Sequence, residues 1–386
     1  MKFSYKRLNE LGSVSRGRSK HRPRNAPELY GGPYPFVQTA DVKKAGLYLT
    51  EYSQTYSEKG LAQSKLWPKG TLCITIAANI ADTAILGVDA CFPDSVIGFI
   101  SDDSKSNVKY VKYLFDCTLQ TEFKKFSQGA AQDNLSQEKL LSIKFPVPDI
   151  ECQNRIVAIL SDYDSAIDNA RRQIALLEEA AMRLYREWFV VHADPKWEKK
   201  RLGDVCDCVL GGTPSRNNAR YWGGDVAWIN SGKVNELRVV TPSEFITREG
   251  LNNSATKILP KHTTVLAITG ATLGQVSLLE IDSAANQSVV GILENAEIPY
   301  QFIYPMMVDR IKELVMCQTG GAQQHINKQI VCDLMFAVPP KDVLSKYLLA
   351  VNPMFRLESE CFAEVLCLTE ARDRLLPKLM SGEIEV

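Results

Sequence analysis

The chain has 386 residues, which excludes a single ordinary domain and fits two domains of roughly 100 to 200 residues, each with its own core. Lysine and arginine number 45 and so do aspartate and glutamate, so only a local cluster of cations could indicate a polyanionic partner. A charged residue, Lys2, stands at the start of the sequence, where a signal peptide would be apolar. No uncharged run approaches the roughly 20 residues of a membrane helix. The ten cysteines include no CxxC pair. We therefore expect a cytoplasmic protein that has no membrane association and keeps its thiols reduced.

The first predicted functional element is a basic segment at the N-terminus. Residues 1–25 hold eight lysines or arginines and one acid, Glu10. Residues 15–27 have little apolar content and are interpreted as a loop, which could place guanidinium groups on DNA phosphates or on guanine edges. A solvated loop without a ligand is the alternative. The candidate DNA contacts here are Arg16, Arg18, Lys20, Arg22 and Arg24.

The sequence contains an internal repeat with an offset of about 191 residues. Lys6-Arg7-Leu8 returns as Lys200-Arg201-Leu202, and Phe145-Pro146-Val147-Pro148 returns as Phe336-Ala337-Val338-Pro339. In both copies a part with short strands and loops precedes a charged helical part in which about 40 residues follow without a glycine. The predicted boundaries are 1–150 and 193–340 for the two mixed domains, and 151–192 and 341–386 for the two helical spacers.

Both helical parts carry apolar residues in the 4-3 spacing that is typical of a coiled coil. The pattern runs unbroken from Ile156 to Trp188 in the first copy. In the second copy eight of ten matching positions suit it, and the other two are Glu358 and Arg372. Two similar helices most simply pair with one another. The predicted fold class is therefore α+β, with two repeated α/β domains separated by long helices that pair as an antiparallel coiled coil.

Polar residues and a proline fall inside both helical parts. Ser161 and Asp162 suit a helix cap, and Pro353 falls where a helix interior would lose a hydrogen bond. We therefore expect each part to be a short helix followed by a long one, and the long helices should begin near residue 162 and near Met354.

The loop of the second copy that matches the basic segment spans residues 211–221 and offers short polar groups. Amides and hydroxyls read base edges in a groove, and asparagine or glutamine can pair with adenine. Ordinary turn chemistry would explain the loop equally well, and the nearby Trp222 and Trp228 are interpreted as core residues. The candidate DNA contacts are Thr213, Ser215, Arg216, Asn217, Arg220 and Tyr221.

A glycine-led segment of each copy is a second candidate for reading DNA. Residues 320–325 bring two amides and an imidazole behind two glycines, and residues 129–134 are the counterpart. Glycines allow close approach of the backbone to a ligand, although a simple turn is the alternative. The candidates are Gln132, Gln323, Gln324 and His325, with Thr269, Thr272, Asn286 and Gln287 expected on the same face.

Several of these strings are also found together in a known family. Gly212-Thr213-Pro214-Ser215, Tyr221-Trp222-Gly223-Gly224, Asn286-Gln287-Ser288 and the ending Leu379-Met380-Ser381-Gly382 stand in an order and spacing that resembles the specificity subunit of Type I restriction-modification enzymes. The resemblance covers essentially the whole chain. The first copy departs from the pattern, because Arg16 to Arg18 and Pro93-Asp94 stand where the second copy has its Gly-Thr-Pro-Ser string and its Asn-Gln pair.

The resemblance implies a function without catalysis in this chain. Each mixed domain would be a target-recognition domain that reads one half of a bipartite double-stranded DNA site, and the helices would set the spacing and dock the partners. The implied partners are two methyltransferase subunits and motor-endonuclease subunits. S-adenosylmethionine, ATP and magnesium would be used by those partners, and this chain would need no cofactor.

Two other functions are open to the sequence. Asn352-Pro353-Met354-Phe355 is similar to the string that binds the target adenine in DNA adenine methyltransferases, but the chain has no convincing cofactor-binding strand and glycine-rich turn. A coiled-coil scaffold without nucleic acid would explain the helices and leave the duplicated polar loops unexplained. Salt-dependent binding to duplex DNA would separate the scaffold from the recognition subunit.

Overall fold

The computed structural model describes residues 2–77, 80–127, 136–317 and 325–386, with side chains outside 119–127. The chain folds into two compact units. Unit 1 comprises Met1–Ile167 and Cys367–Val386, and unit 2 comprises Asp168–Leu366. Each unit therefore contains a part of both helical regions.

Unit 1 is built on eleven strands within the described ranges. They are β1 (Ser4–Arg7), β2 (Gly12–Arg16), β3 (Tyr30–Phe36), β4 (Tyr48–Leu49), β5 (Gln54–Tyr56), β6 (Leu66–Trp67), β7 (Leu72–Thr75), β8 (Thr83–Leu86), β9 (Ala90–Cys91), β10 (Val96–Ser101) and β11 (Lys144–Val147). They form a five-stranded sheet in the order β2-β10-β7-β8-β4, a four-stranded sheet in the order β5-β3-β9-β6, and the pair β1-β11.

Unit 2 repeats this arrangement strand for strand. Its strands are β12 (Lys199–Arg201), β13 (Cys208–Leu210), β14 (Trp222–Ile229), β15 (Arg238–Val239), β16 (Glu244–Ile246), β17 (Ile258–Leu259), β18 (Thr264–Ala267), β19 (Val276–Leu279), β20 (Ser283–Ala285), β21 (Val289–Ile292) and β22 (Met335–Ala337). The orders β13-β21-β18-β19-β15, β16-β14-β20-β17 and β12-β22 match those of unit 1. The predicted duplication of an α/β domain is confirmed.

A 3-10 helix, Ser231–Asn235, stands in unit 2 where unit 1 has the α-helix Thr39–Lys44, and the repeat otherwise extends to the α-helices. They are α1 (Leu8–Leu11), α2 (Thr39–Lys44), α3 (Glu58–Ala62), α4 (Val108–Ser127), α5 (Gln137–Ser142), α6 (Ile150–Arg186), α7 (Leu202–Val205), α8 (Arg248–Asn252), α9 (Tyr300–Met316), α10 (Lys328–Cys332) and α11 (Lys341–Ser381). A π-helical turn, Glu187–Val191, follows α6. Of the helices in the described ranges, none is both long enough and apolar enough to cross a membrane.

Each five-stranded sheet is covered on both faces, which explains its continuous runs of apolar residues. In unit 1, Leu72 and Ile74 of β7 share a core with Tyr110 of α4, and Cys73 between them shares another core with Trp67 of the four-stranded sheet. Alternate residues of a strand point to opposite faces, so one strand serves both cores. In unit 2, β18 does the same, because Leu266 shares a core with α9 while Val265 and Ala267 do not.

The two long helices are continuous, so the expected division into a short and a long helix was wrong. The hydroxyl of Ser161 donates to the carbonyl of Ala158 at 3.4 Å within α6 and caps nothing. Pro353 removes one hydrogen bond of α11, whose acceptor would be Leu349. Leu349 is 79% exposed, so the lost hydrogen bond lies on the solvent side of the helix. A helix of 41 residues tolerates this single loss because its other hydrogen bonds remain.

Within unit 2 the two long helices run antiparallel. Gln173 of α6 meets Cys361 of α11, with 3.8 Å between the side-chain oxygen and sulfur. Further along α6, Glu178 meets Glu358, which lies earlier in α11, because both carboxylates bind Arg238. In unit 1, Arg372 of α11 donates to Asp164 of α6 at 2.7 Å. The predicted antiparallel pairing is confirmed.

Candidate nucleic-acid interface

The candidate DNA contacts of unit 2 gather at one edge of its five-stranded sheet. Leu210 pairs with Val290 where β13 ends and β21 begins, and Ala267 pairs with Val289 where β18 ends. These strands are antiparallel neighbours, so the loops that leave them emerge together. We call residues 211–221, 268–275 and 286–288 the loop edge of unit 2.

The fold brings several predicted contacts into hydrogen bonds at this loop edge. The hydroxyl of Thr213 donates to the side-chain carbonyl of Gln287. The hydroxyl of Thr272 donates to the carbonyl of Thr269 at 3.3 Å, and Thr269 forms an antiparallel bridge with His325. These five residues come from four different stretches of the chain. Their hydroxyl, amide and imidazole groups could all donate to or accept from a base edge.

Asn286 has a different role from its neighbour Gln287. Its side-chain oxygen accepts from the backbone N–H of Ser288 at 3.1 Å, and its own N–H donates to the carbonyl of Ile229 at 2.9 Å. Asn286 therefore shapes the turn before β21. Gln287 is exposed at the tip of that turn.

A glycine lets the loop of each unit cross this turn closely. Gly211 donates to the carbonyl of Val289 at 3.0 Å, and a Cβ at Gly211 would lie 2.1 Å from the carbonyl oxygen of Asn286. In unit 1, Gly17 donates to the carbonyl of Val96 at 2.8 Å, and a Cβ there would lie 2.3 Å from the carbonyl oxygen of Pro93. The two loops therefore follow the same path, for the same steric reason.

We expect Gly211→Ala to destabilise unit 2 by about 1–3 kcal/mol, because the new methyl group must push two backbone segments apart. The displacement should also weaken DNA binding, since it separates Thr213 from Gln287. Thermal denaturation and binding to a duplex would measure the two effects. Ser215→Ala, an exposed position in the same loop, is the control and should change stability by less than about 0.5 kcal/mol. Equal stability of both variants would contradict the close crossing.

The side chain of Arg216 is fixed by contacts with other residues of the chain. Its guanidinium makes two hydrogen bonds of 2.7 Å to the carboxylate of Glu244 and stacks on the ring of Trp222 at 3.5 Å. The same ion pair lowers the pKa of Glu244. The indole N–H of Trp222 donates to the carbonyl of Ser215 at 3.2 Å. Arg216 and Trp222 thus fix the shape of the loop, and the sequence offered no sign of the distant partner Glu244.

The remaining predicted contacts of this loop differ in exposure. Asn217 and Arg220 are exposed, whereas Tyr221 is half-buried and its backbone carbonyl receives the N–H of Thr247 at 2.9 Å. The structure therefore places Asn217 and Arg220 where a ligand could reach them.

Unit 1 has the equivalent loop edge, formed by residues 16–26 and 92–95. Arg16, at the end of β2, donates two hydrogen bonds to the backbone carbonyl of Asp94, at 2.9 and 2.6 Å. Arg24 makes an ion pair of 2.9 Å with the carboxylate of the same residue. Asp94 precedes β10 as Gln287 precedes β21, so the repeat itself points to Asp94 as a residue of this edge.

The path of residues 17–22 is set by two residues that were not predicted from the sequence. The side-chain oxygen of Gln63 accepts from the backbone N–H groups of Lys20 and His21 at 2.6 and 3.0 Å. The hydroxyl of Ser64 donates to the carbonyl of Arg18 at 2.8 Å. Both anchors bond to backbone atoms, so the exposed side chains of Arg18 and Lys20 stay available.

Three predicted contacts, Gln132, Gln323 and Gln324, lie outside the described residues. The methyltransferase-like string lies inside α11, and Phe355 within it is only 4% exposed and belongs to the core of unit 2. Asn352 is exposed, but the backbone of the string is part of the helix and its phenylalanine packs in the core, so the string cannot present these groups together to a target base. The alternative of an adenine methyltransferase is not favoured.

Comparison with known proteins agrees with this geometry. The sequence model of the type I restriction modification DNA specificity domain matches residues 2–179 and 195–343. The MjaIX specificity subunit of Methanocaldococcus jannaschii is 24% identical, with 100% of this chain and 94% of the relative covered. The HindI specificity subunit of Haemophilus influenzae is 22% identical, with 97% and 98% covered.

Among solved structures, the type I restriction-modification S subunit from M. genitalium has the same fold. It superimposes with a TM-score of 0.62 at 15% sequence identity, and the match covers 98% of this chain and 96% of that one. Two matching regions of the family sequence model, one in each half of the chain, agree with the two repeated sets of sheets. The chain therefore belongs to the family of type I restriction modification DNA specificity domains and carries that domain twice.

Proposed function

We propose that this chain is the DNA sequence-recognition subunit of a type I restriction-modification complex, in which each unit reads one half of a bipartite site with its loop edge. The observation that carries the proposal is the duplicated edge itself. In both units a loop crosses the turn before the neighbouring strand at a glycine and presents exposed polar or cationic side chains. Such groups position a protein on phosphates and read bases in a groove.

The chemistry of modification and cleavage is assigned to partner subunits. In this proposal two methyltransferase subunits carry S-adenosylmethionine, and motor-endonuclease subunits use ATP and magnesium. The two long helices set the spacing of the half-sites and dock the methyltransferase subunits. The side chains at the loop edges are mainly hydroxyls, amides and cations, which suit recognition of phosphates and bases.

Exchanging one recognition domain tests the proposal. Replacing residues 201–340, which lie wholly within unit 2, by the same region of a relative should change one half-site and leave the other intact. The strands of the exchanged region pair only with other strands of unit 2, so the strand pairs of unit 1 are unchanged. Sequencing methylated sites in cells that carry the full complex would show the new target.

The reciprocal exchange is the matched control. Replacing residues 12–147, which contain the whole five-stranded sheet of unit 1, should change only the other half-site. Changes in both half-sites after either exchange would show that the units do not read independently. An unchanged site after both exchanges would contradict recognition by these domains.

A further inference from the structure

The two loop edges share a backbone path and differ in charge. Residues 16–26 and 92–95 of unit 1 contain five cations, Arg16, Arg18, Lys20, Arg22 and Arg24, against one acid, Asp94. The matching residues 211–221 and 286–288 of unit 2 contain two cations, Arg216 and Arg220, and no acid. The difference is large for segments that occupy the same place in the fold.

Partners within the chain widen this difference. In unit 1 the carboxylate of Asp94 neutralises Arg24 alone, because Arg16 bonds only to its backbone carbonyl. Arg22 likewise donates to the carbonyls of Ser19 and His21 at 2.8 Å and keeps its net charge. Four cations of the unit 1 edge are therefore not neutralised by the acid of that edge.

In unit 2 the ion pair with Glu244 neutralises Arg216, which leaves Arg220 as the cation of that edge without an ion pair among the described residues. The other exposed or half-exposed groups are the hydroxyls of Thr213, Thr269 and Thr272 and the amide of Gln287. They carry no net charge, so they can distinguish bases but attract phosphates only weakly.

The backbone of unit 1 displays its cations in a row. Gly17 and Ser19 are buried while Arg18, Lys20 and Arg22 are exposed, as in an extended segment with one face toward the protein. In the described part of the chain, the side chains of Arg18 and Lys20 have no hydrogen bond or ion pair. Their charges therefore remain free for an external anion, and their supporting backbone is already fixed by Gln63.

We propose that the two units divide the work of binding DNA. Unit 1 supplies most of the salt-dependent affinity through phosphate contacts of Arg18, Lys20 and Arg22, whereas unit 2 depends mainly on base-edge contacts of its uncharged groups, Gln287 among them. This inference rests on the proposed function and adds the chemistry by which each half is held. A cation that neutralises a phosphate releases a counterion, and a neutral group does not.

Salt dependence of binding tests the first half of the proposal. The full chain, with its methyltransferase subunits, is titrated with two DNA duplexes between 50 and 200 mM NaCl. One duplex contains the sequence that the complex methylates in cells (the methylated-site duplex), and the other has a scrambled sequence. In the variant R18Q/K20Q/R22Q the slope of log K against log salt should become shallower by about 2.7, since each phosphate contributes about 0.9. The loss of affinity across that range should then shrink by about 40-fold, and the preference for the methylated-site duplex should remain.

The control removes three charges from the opposite end of the same sheet. Lys69 lies before β7, and Lys105 and Lys109 lie after β10. K69Q/K105Q/K109Q changes the net charge equally and should alter the slope by less than about 0.5 if only the loop edge contacts phosphates. Thermal denaturation of both variants checks that these surface changes leave the fold intact.

The second half of the proposal is tested at Gln287. Gln287→Ala should reduce the preference for the methylated-site duplex by about tenfold and leave the salt slope unchanged, because a base contact and not a charge is lost. The division of work between the units would be overturned if R18Q/K20Q/R22Q and K69Q/K105Q/K109Q had the same salt slope. It would also be overturned if R18Q/K20Q/R22Q lost its sequence preference while its salt slope stayed that of the wild type. A wild-type complex that binds both duplexes equally would instead contradict the proposed function itself.

Discussion

Replacing Arg238 by methionine is expected to destabilise unit 2 by about 3–5 kcal/mol, the usual cost of removing one partner from a buried ion pair. Arg238, in β15, is 1% exposed and lies 2.6 Å from the carboxylate of Glu358 and 3.2 Å from that of Glu178. Its guanidinium also stacks on the ring of Tyr304 at 4.3 Å. Methionine fills much of the same volume, but it leaves the carboxyl groups of Glu178 and Glu358 in a buried site without the cation that they share.

Urea denaturation followed by tryptophan fluorescence measures this effect. The control is Arg248→Met, which removes an exposed ion pair of 3.5 Å with Asp225 and should cost less than about 0.5 kcal/mol. A double variant, Arg238→Met with Glu358→Leu, also removes the carboxyl group that lay nearest to Arg238. It should recover at least half of the lost stability, because apolar replacements of buried ion pairs are often tolerated. If Arg238→Met lowered the free energy of unfolding by less than about 1 kcal/mol, the buried ion pairs of Arg238 would not be important for the stability of unit 2.

Unit 1 joins the same two helices by different chemistry. There Asp164 of α6 accepts from Arg372 of α11 and from the hydroxyl of Tyr113 of α4. With the offset of 191, Asp164 corresponds to Phe355 and Glu358 corresponds to Ile167, so neither polar cluster has a copy in the other unit. The two halves of the chain repeat their backbone and not their polar contacts.

The sequence contained a sign of both clusters. The 4-3 pattern of the second helix fits an apolar seam except at Glu358 and Arg372. Glu358 forms the buried ion pair of unit 2, and Arg372 forms the half-buried ion pair of unit 1. A charge at a seam position predicts a buried partner. It cannot identify that partner, because the partners are distant in sequence. Arg238 lies 120 residues from Glu358, and Asp164 lies 208 residues from Arg372.

The repeat, the long helices and the general place of the loops could be predicted because they depend on local patterns. Sheet order could not be predicted, since strands such as β13 and β21 pair across some 80 residues of chain. The same limit applies to the candidate site. Arg216 and Arg18 are both arginines in exposed loops, and only the position of Glu244 shows that the first is occupied and the second is free.

A second large effect is expected in the dependence of stability on pH. Burial raises the pKa of the Glu358 carboxyl from 4.5 to about 7; Arg238 opposes this rise and Glu178 adds to it. Glu280, 3.9 Å from Arg238, adds another carboxylate to the cluster, and Tyr304 donates to Glu178 at 2.8 Å. One oxygen of Glu358 is buried without a hydrogen-bond partner among the described residues, so no hydrogen bond stabilises the ionised carboxylate at that oxygen.

The sign follows from proton linkage. Between pH 4.5 and about 7 the folded chain keeps a proton on Glu358 that the unfolded chain releases, so the free energy of unfolding falls as pH rises through this window and is flat above it. A pKa rise of about 2.5 corresponds to a loss of about 3 kcal/mol across the window. His262, whose pKa is lowered from 6.5 by burial, acts in the opposite direction below pH 6.5. The comparison must therefore cancel the contribution of His262.

Urea denaturation of the wild type and of Glu358→Gln between pH 5 and 8 makes that comparison, since both chains keep His262. Glutamine cannot titrate, so the wild type should lose about 2–3 kcal/mol of stability relative to the variant as pH rises. Glu360→Gln, two residues further along α11 and 66% exposed in its side chain, should follow the wild-type curve. Parallel curves for the wild type and Glu358→Gln would show that Glu358 is already ionised at pH 5, and that Arg238 outweighs burial and the second carboxylate.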